Sequence, residues 1–98
     1  MNIFMEKFGN VLTSRQAGKE AYLAFLPTLS ELKKDEQIII DFSGINTFSP
    51  SWGDEFLTPM QKQYGDRMLL KNTSNPSVAL TIKTLEGVNN SKFRISET

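Results

Sequence analysis

The chain has 98 residues, 11 of them basic and 11 acidic, and contains neither cysteine nor histidine. That length fits one domain, 1–98, with a modest core that buries roughly two thirds of the unfolded surface and is stable by about 5–10 kcal/mol. Zero net charge supplies no field to draw nucleic acid, and the absent residue types exclude disulfides, thiol nucleophiles, the usual zinc sites and the commonest general base near neutral pH.

Asn2 to Phe8, NIFMEKF, predicts a first strand. Gly9-Asn10 ends it, either as a simple bend or as a two-residue hairpin into a second arm at Val11-Leu12. Thr13-Ser14-Arg15-Gln16 fits a capping box, with the Thr13 hydroxyl accepting from the third helical amide and Gln16 reaching back to the Thr13 N–H. The first helix then runs to Lys33-Lys34, packing through Ala17, Ala21, Ala24 or Phe25, Thr28 and Leu32, with the lysines at the negative end of its dipole. Pro27 predicts a kink or break near Leu26. No apolar run approaches the ~20 residues of a membrane span, and Met1 to Asn10 lacks a basic leader with a cleavage site, so a cytoplasmic protein off the membrane is expected.

Asp35-Glu36 turn the chain into Ile38-Ile39-Ile40, three β-branched residues that read as a central strand covered on both faces and ending at Asp41. Ser49 before Pro50 is an N-cap followed by a proline where a missing N–H costs nothing, so a second helix covers Ser51 to about Tyr64. Trp52, Phe56, Leu57 and Met60 turn inward from it, Pro59 interrupts it, and Gly65 stops it. Arg67 to Lys71 is a short strand, and Asn75-Pro76 repeats the cap-then-proline signal before a third helix that buries Val78, Ile82 and Leu85 and ends at Gly87. Lys92 to Ile95 reads as a last strand, with Ser96 to Thr98 fraying.

The expected fold is a single-domain α/β sandwich, β-α-β-α-β-α-β, whose largely parallel or mixed four-stranded sheet is packed by helices. Loops at the carboxyl ends of such strands share one rim, where ligands and partners bind. If the first strand is parallel to the rest, three helix N-termini ring that rim. Ser14, Arg15, Asn72 and Ser74 would then form an anion-binding rim, with Arg15 the fixed charge, or simply cap helices. Asp54 and Glu55 are adjacent on the second helix, too far apart in direction for an acid-base pair and well placed for its dipole. Asp41 and Gly44 shape the loop that carries Ser49 and Ser51. Trp52 either plugs the core or stands out as an interface anchor. A phosphate on Ser51 or Ser49 would add nearly two negative charges, tolerated by the helix and costly to a docked partner.

Asp41-Phe42-Ser43-Gly44-Ile45, then Thr47-Phe48, then Ser49-Pro50-Ser51-Trp52 resembles the hallmark of STAS domains, best known as bacterial anti-sigma factor antagonists. Asp41 to Glu55, with Ser14-Arg15 at the first helix, is more similar still to the STAS-like family of unassigned function. The resemblance implies a non-catalytic protein-interaction module with no cofactor, whose protein partner in the antagonists is an anti-sigma-type ATPase kinase that phosphorylates the serine matched by Ser51. Ser49 stands where the antagonists have Asp, Pro50 where they have the first Ser, and Trp52 where they have Gly. Ser51, Ser49, Trp52, Asp54 and Glu55 are accordingly the partner-binding or phosphoacceptor candidates. The other reading is a small-ligand or nucleotide-responsive STAS-like sensor using the rim. An acid-base enzyme built on Asp41, Asp54 and Glu55 lacks a histidine, metal motif or activated nucleophile.

Overall fold

The computed structural model describes residues 1–96. The fray expected at Glu97 and Thr98 lies outside the described residues. Strands β1 (Asn2–Phe4), β3 (Ile38–Asp41) and β5 (Met68–Lys71) form a parallel sheet in the order β1-β3-β5. The isoleucine-rich strand is central, as its composition predicts. A second parallel pair joins β2 (Val11–Leu12) to β4 (Thr47–Phe48). Helices α1 (Arg15–Leu29), α2 (Pro50–Tyr64) and α3 (Pro76–Asn89) complete the fold.

Several expectations are corrected. Among the described residues the main sheet has three strands, not four, because Lys92 to Ile95 contributes only one parallel bridge, Leu70 to Ile95. There Phe93 turns into the core, and Arg94 reaches away to Gln37 and the Asp66 carbonyl. The first strand stops at Phe4 and passes into a single 3-10 turn over Met5–Phe8. No hairpin forms at Gly9-Asn10: Val11 and Leu12 pair with Thr47 and Phe48, parallel and far away in sequence. The sheet is covered on one face only. Ile3, Ile38, Ile40, Met68 and Leu70 are buried beneath the helices, whereas Phe4, Ile39 and Leu69 on the other face keep contact with water. β-branching fits a half-covered strand as well as a fully covered one, so it did not discriminate.

Helix ends also differ. Ser14, not Thr13, caps α1, its hydroxyl accepting from the Ala17 N–H at 2.9 Å, while Gln16 bonds Glu20 instead of reaching back. α1 continues past Leu26 and Pro27 to Leu29, so Lys33-Lys34 lie beyond its last turn. A proline removes a bond to the preceding turn but holds helical φ, and the helix runs two residues beyond it before ending. The packing face is turned by one residue, with Gly18, Phe25 and Leu29 buried and Ala17, Ala24 and Thr28 exposed. Gly18 carries no apolar side chain for a periodicity to register, yet it sits where α1 touches the backbone of Trp52. α3 passes Gly87 and is closed by Asn90, whose φ of 50° is left-handed. The α2 bounds, its Gly65 stop and its inward face of Trp52, Phe56, Leu57 and Met60 agree with the sequence reading, but Pro59 does not interrupt the helix, which runs unbroken through it to Tyr64 because the fixed φ of proline is itself helical.

Candidate functional site

The rim at the carboxyl ends of the strands is assembled by side chains that tie loop to loop. Asn46 N–H and Thr47 N–H both donate to the Asn10 carbonyl, and Ser49 N–H donates to Leu12, which seats β4 beside β2 and the start of α2 beside the start of α1. Ser49 does double duty. Its hydroxyl accepts from Trp52 N–H at 3.2 Å and donates to the Thr13 carbonyl at 2.7 Å, capping α2 and locking it to α1. Asn75 caps α3 by accepting from Ser77 N–H and Val78 N–H, while its amide donates to the carbonyls of Ile45 and Asn46. Three helix N-termini therefore do meet at one rim, as parallel strands require.

Asp41 holds the next two loops together. Its Oδ1 accepts from Ser43 N–H at 2.9 Å, the Ser43 hydroxyl at 2.8 Å and the Asn72 amide at 2.8 Å, and Asn72 also donates to the Ser43 hydroxyl. Asn72 reaches this position from a left-handed φ of 57°, which asparagine tolerates better than most residues. Gly44, at φ 79°, makes the bend that follows. Burial pushes the Asp41 carboxyl up, but the bonds from Asn72 and Ser43 and the nearby Lys71 charge outweigh it, leaving the group below its ordinary range.

A depressed folded-state pKa contributes stability that is full above the unfolded value, near 4, and is lost as pH falls through the folded value. Asp41→Ala is therefore expected to cost about 2–3 kcal/mol at pH 7, with the gap to wild type closing in urea melts below about pH 4. A gap that does not change with pH would exclude the charge as its cause.

Asp54 and Glu55 share Arg15, whose guanidinium lies 3.0 Å from the first and 3.4 Å from the second. Asp54 also accepts from the Thr58 hydroxyl at 2.9 Å, and Thr58 in turn accepts from Asn89 at 3.3 Å, so a polar chain crosses from α1 through α2 to α3. Burial raises the Asp54 carboxyl, while hydrogen bonds from Arg15 and Thr58 and the charges of Arg15 and Lys62 bring it below the ordinary range.

Among the sequence candidates, the structure brings Ser49, Ser14, Arg15, Asp54 and Glu55 together at the α1–α2 junction, and Asp41, Ser43 and Asn72 at the neighbouring loops. Ser74 is exposed and caps nothing, since Asn75 has that role. Trp52 is 2 % exposed and sits inside the core, which removes it as a surface anchor. Ser51 is half-buried in the first turn of α2, and its hydroxyl has no hydrogen-bond partner among the described residues.

Sequence reasoning missed Ser77 and Thr81. Ser77 accepts from Phe48 N–H and donates to the Phe48 carbonyl, which also accepts from Thr81. The signal for Ser77 was present, because Asn75-Pro76-Ser77 has the same cap-proline-serine pattern as Ser49-Pro50-Ser51. One serine of these two patterns turns into the fold, and the other does not.

No helix among the described residues is long and apolar enough to cross a membrane. Comparison with curated proteins and with solved structures yields no match. A family model described as a STAS-like domain of unknown function (DUF4325) matches residues 23–78. The matched stretch begins in the middle of α1, so it leaves out Ser14 and Arg15, and runs through β3, the Asp41 loop, α2 and β5 to the first turn of α3. It covers more than half of the chain and includes the whole segment from Asp41 to Glu55, and the chain therefore belongs to the STAS-like domain family of unknown function.

Proposed function

We propose that this STAS-like protein is a non-catalytic regulatory interaction module that docks a protein partner through the loop Asn46 to Ser51 and the first turns of α2. One observation carries the reading. Of the polar residues in the Ser49-to-Glu55 stretch, Ser49 is engaged in capping and Asp54 and Glu55 in the Arg15 pair, whereas the Ser51 hydroxyl is left without a partner among the described residues. The loop before it is held by main-chain bonds to Asn10 and Leu12, so a partner meets a surface already ordered and forgoes much of the entropy cost of binding. The small-ligand reading has less support, because Arg15, the cation it needs, is occupied by two carboxylates.

The test is affinity capture from the native cell with wild type, Ser51→Ala and Ser51→Glu in parallel. An acid in the first turn of α2 is tolerated by the helix dipole, so Ser51→Glu is expected to fold with a stability change within about 0.5 kcal/mol. A partner held by wild type and Ser51→Ala but lost by Ser51→Glu is the expected outcome. Equal retention by all three would move the interface off Ser51, and no retained protein would shift the function to small-ligand binding.

A further inference from the structure

A groove of about 460 Å³ runs between α3 and the segment that follows it, lined by Leu80, Ile82 and Ile95 with Thr73, Lys83 and Glu86 among its polar walls. Leu80 and Ile95 are 67 % and 44 % exposed, two large apolar side chains left in water in the same groove. The groove shares no residue with the α2 surface proposed above.

The main chain along this groove is an open sheet edge. Ile95 bridges Leu70 in parallel, with Leu70 N–H donating to the Arg94 carbonyl at 2.9 Å and Ser96 N–H to the Leu70 carbonyl at 2.8 Å. Main-chain groups of successive residues point to opposite edges of a strand. The Ile95 N–H and C=O therefore face away from β5, and neither has a hydrogen-bond partner among the described residues. Phe93, two residues earlier and on the same outward side, already has its N–H taken by the Glu86 carboxylate at 2.8 Å. The edge is thus capped at Phe93 and vacant at Ile95.

Charge narrows the occupant. Glu86 is engaged by Phe93 N–H and lies 3.8 Å from Lys92, whereas Lys83 has no carboxylate within ion-pairing distance among the described residues. The groove thus pairs an apolar floor and a free donor-acceptor edge with one uncompensated positive charge. From this geometry we infer that the groove receives an extended peptide segment of another protein, added as a strand beside Ile95, with an aliphatic side chain against Leu80 and Ile95 and a carboxylate facing Lys83. Main-chain bonds give such additions their affinity, and the side-chain pocket and charge give their selectivity.

Peptides selected from a random phage-displayed library on the full chain are the probe, synthesised and titrated into wild type, Leu80→Asp and Lys83→Glu. Both positions are exposed, so the variants keep the fold, checked by circular dichroism. Selected peptides are expected to carry an acidic residue near an aliphatic one and to shift and protect the Ile95 amide in NMR spectra. Each variant should weaken binding about tenfold or more. N-methylation of the peptide amide that pairs with Ile95 should abolish binding, and methylation one position along should not. Peptides that leave the Ile95 amide unchanged, or that bind both variants as tightly as wild type, would overturn the inference, as would a library with no enriched sequence. Concentration-dependent self-association lost in Leu80→Asp would assign the groove to a second copy of the chain instead.

Discussion

Trp52→Ala is expected to remove about 3–5 kcal/mol of stability, a large part of what a chain of this size has. The indole stacks on Phe56 with ring centres 5.1 Å apart and lies 5.9 Å from Phe48 and 5.8 Å from Phe8. Phe48 is in β4, Phe8 ends the 3-10 turn and Phe56 is one turn further along α2. Truncation therefore opens a cavity where three elements converge, and it also forfeits ring-ring contacts worth about 0.5–1.5 kcal/mol each. Trp52→Phe keeps part of that packing and should cost less than half as much. Urea unfolding followed by far-ultraviolet circular dichroism reads both, since the variants lose the sole tryptophan as a fluorophore. A loss under about 0.5 kcal/mol for the alanine variant would be the behaviour of a surface residue and would restore Trp52 as an interface anchor.

Gly18→Ala should cost about 2–4 kcal/mol, although alanine is intrinsically the better helix former by about 1 kcal/mol. A Cβ at this position would stand 2.5 Å from the Trp52 carbonyl oxygen and 3.0 Å from its Cα. Those atoms are backbone, so no side chain can swing aside and α1 must lift from α2. Arg15 lies one turn earlier on α1, so lifting the helix also draws its guanidinium from Asp54 and Glu55. The same urea melt decides it. A midpoint at or above that of wild type would mean the two helices have slack at their crossing.

The parts of the fold written in local chemistry were legible. Ser49-Pro50 marked the start of α2, Gly65 its end, and Ile38-Ile39-Ile40 the middle strand. The motif from Asp41 to Glu55 pointed to the family that the match to residues 23–78 shows. What was not legible depended on residues remote in the chain. Nothing local in Val11-Leu12 says that Thr47-Phe48 will pair with it, and Gly9-Asn10 carries a hairpin signal that the more distant partner overrides. Thr13 and Ser14 are adjacent cap formers, and the choice of Ser14 leaves the Thr13 carbonyl free for Ser49. Gly18 is invisible to a hydrophobic period, although it decides how closely the helices approach. At the candidate site the residue types were found, but their allocation was not. Only the three-dimensional bonds separate Ser49 from Ser51, or tie Arg15 to acids rather than to an anion.

Among the described residues, none of the strands β1 to β5 pairs with the strand next to it along the chain: β1 joins β3, β2 joins β4, and β3 joins β5. A sheet built this way has no turn from which it can zip, because each ladder must first close a loop that contains a helix or another strand. During synthesis β1 and β2 leave the ribosome with nothing to pair with until β3 and β4 have followed them out. α1 is the one large element that can take shape in the interval. Because β3 supplies both inner edges of the main sheet, the appearance of residues 38–41 is the event that commits the nascent chain to its topology, and until then its apolar first strand is exposed to any other edge in reach.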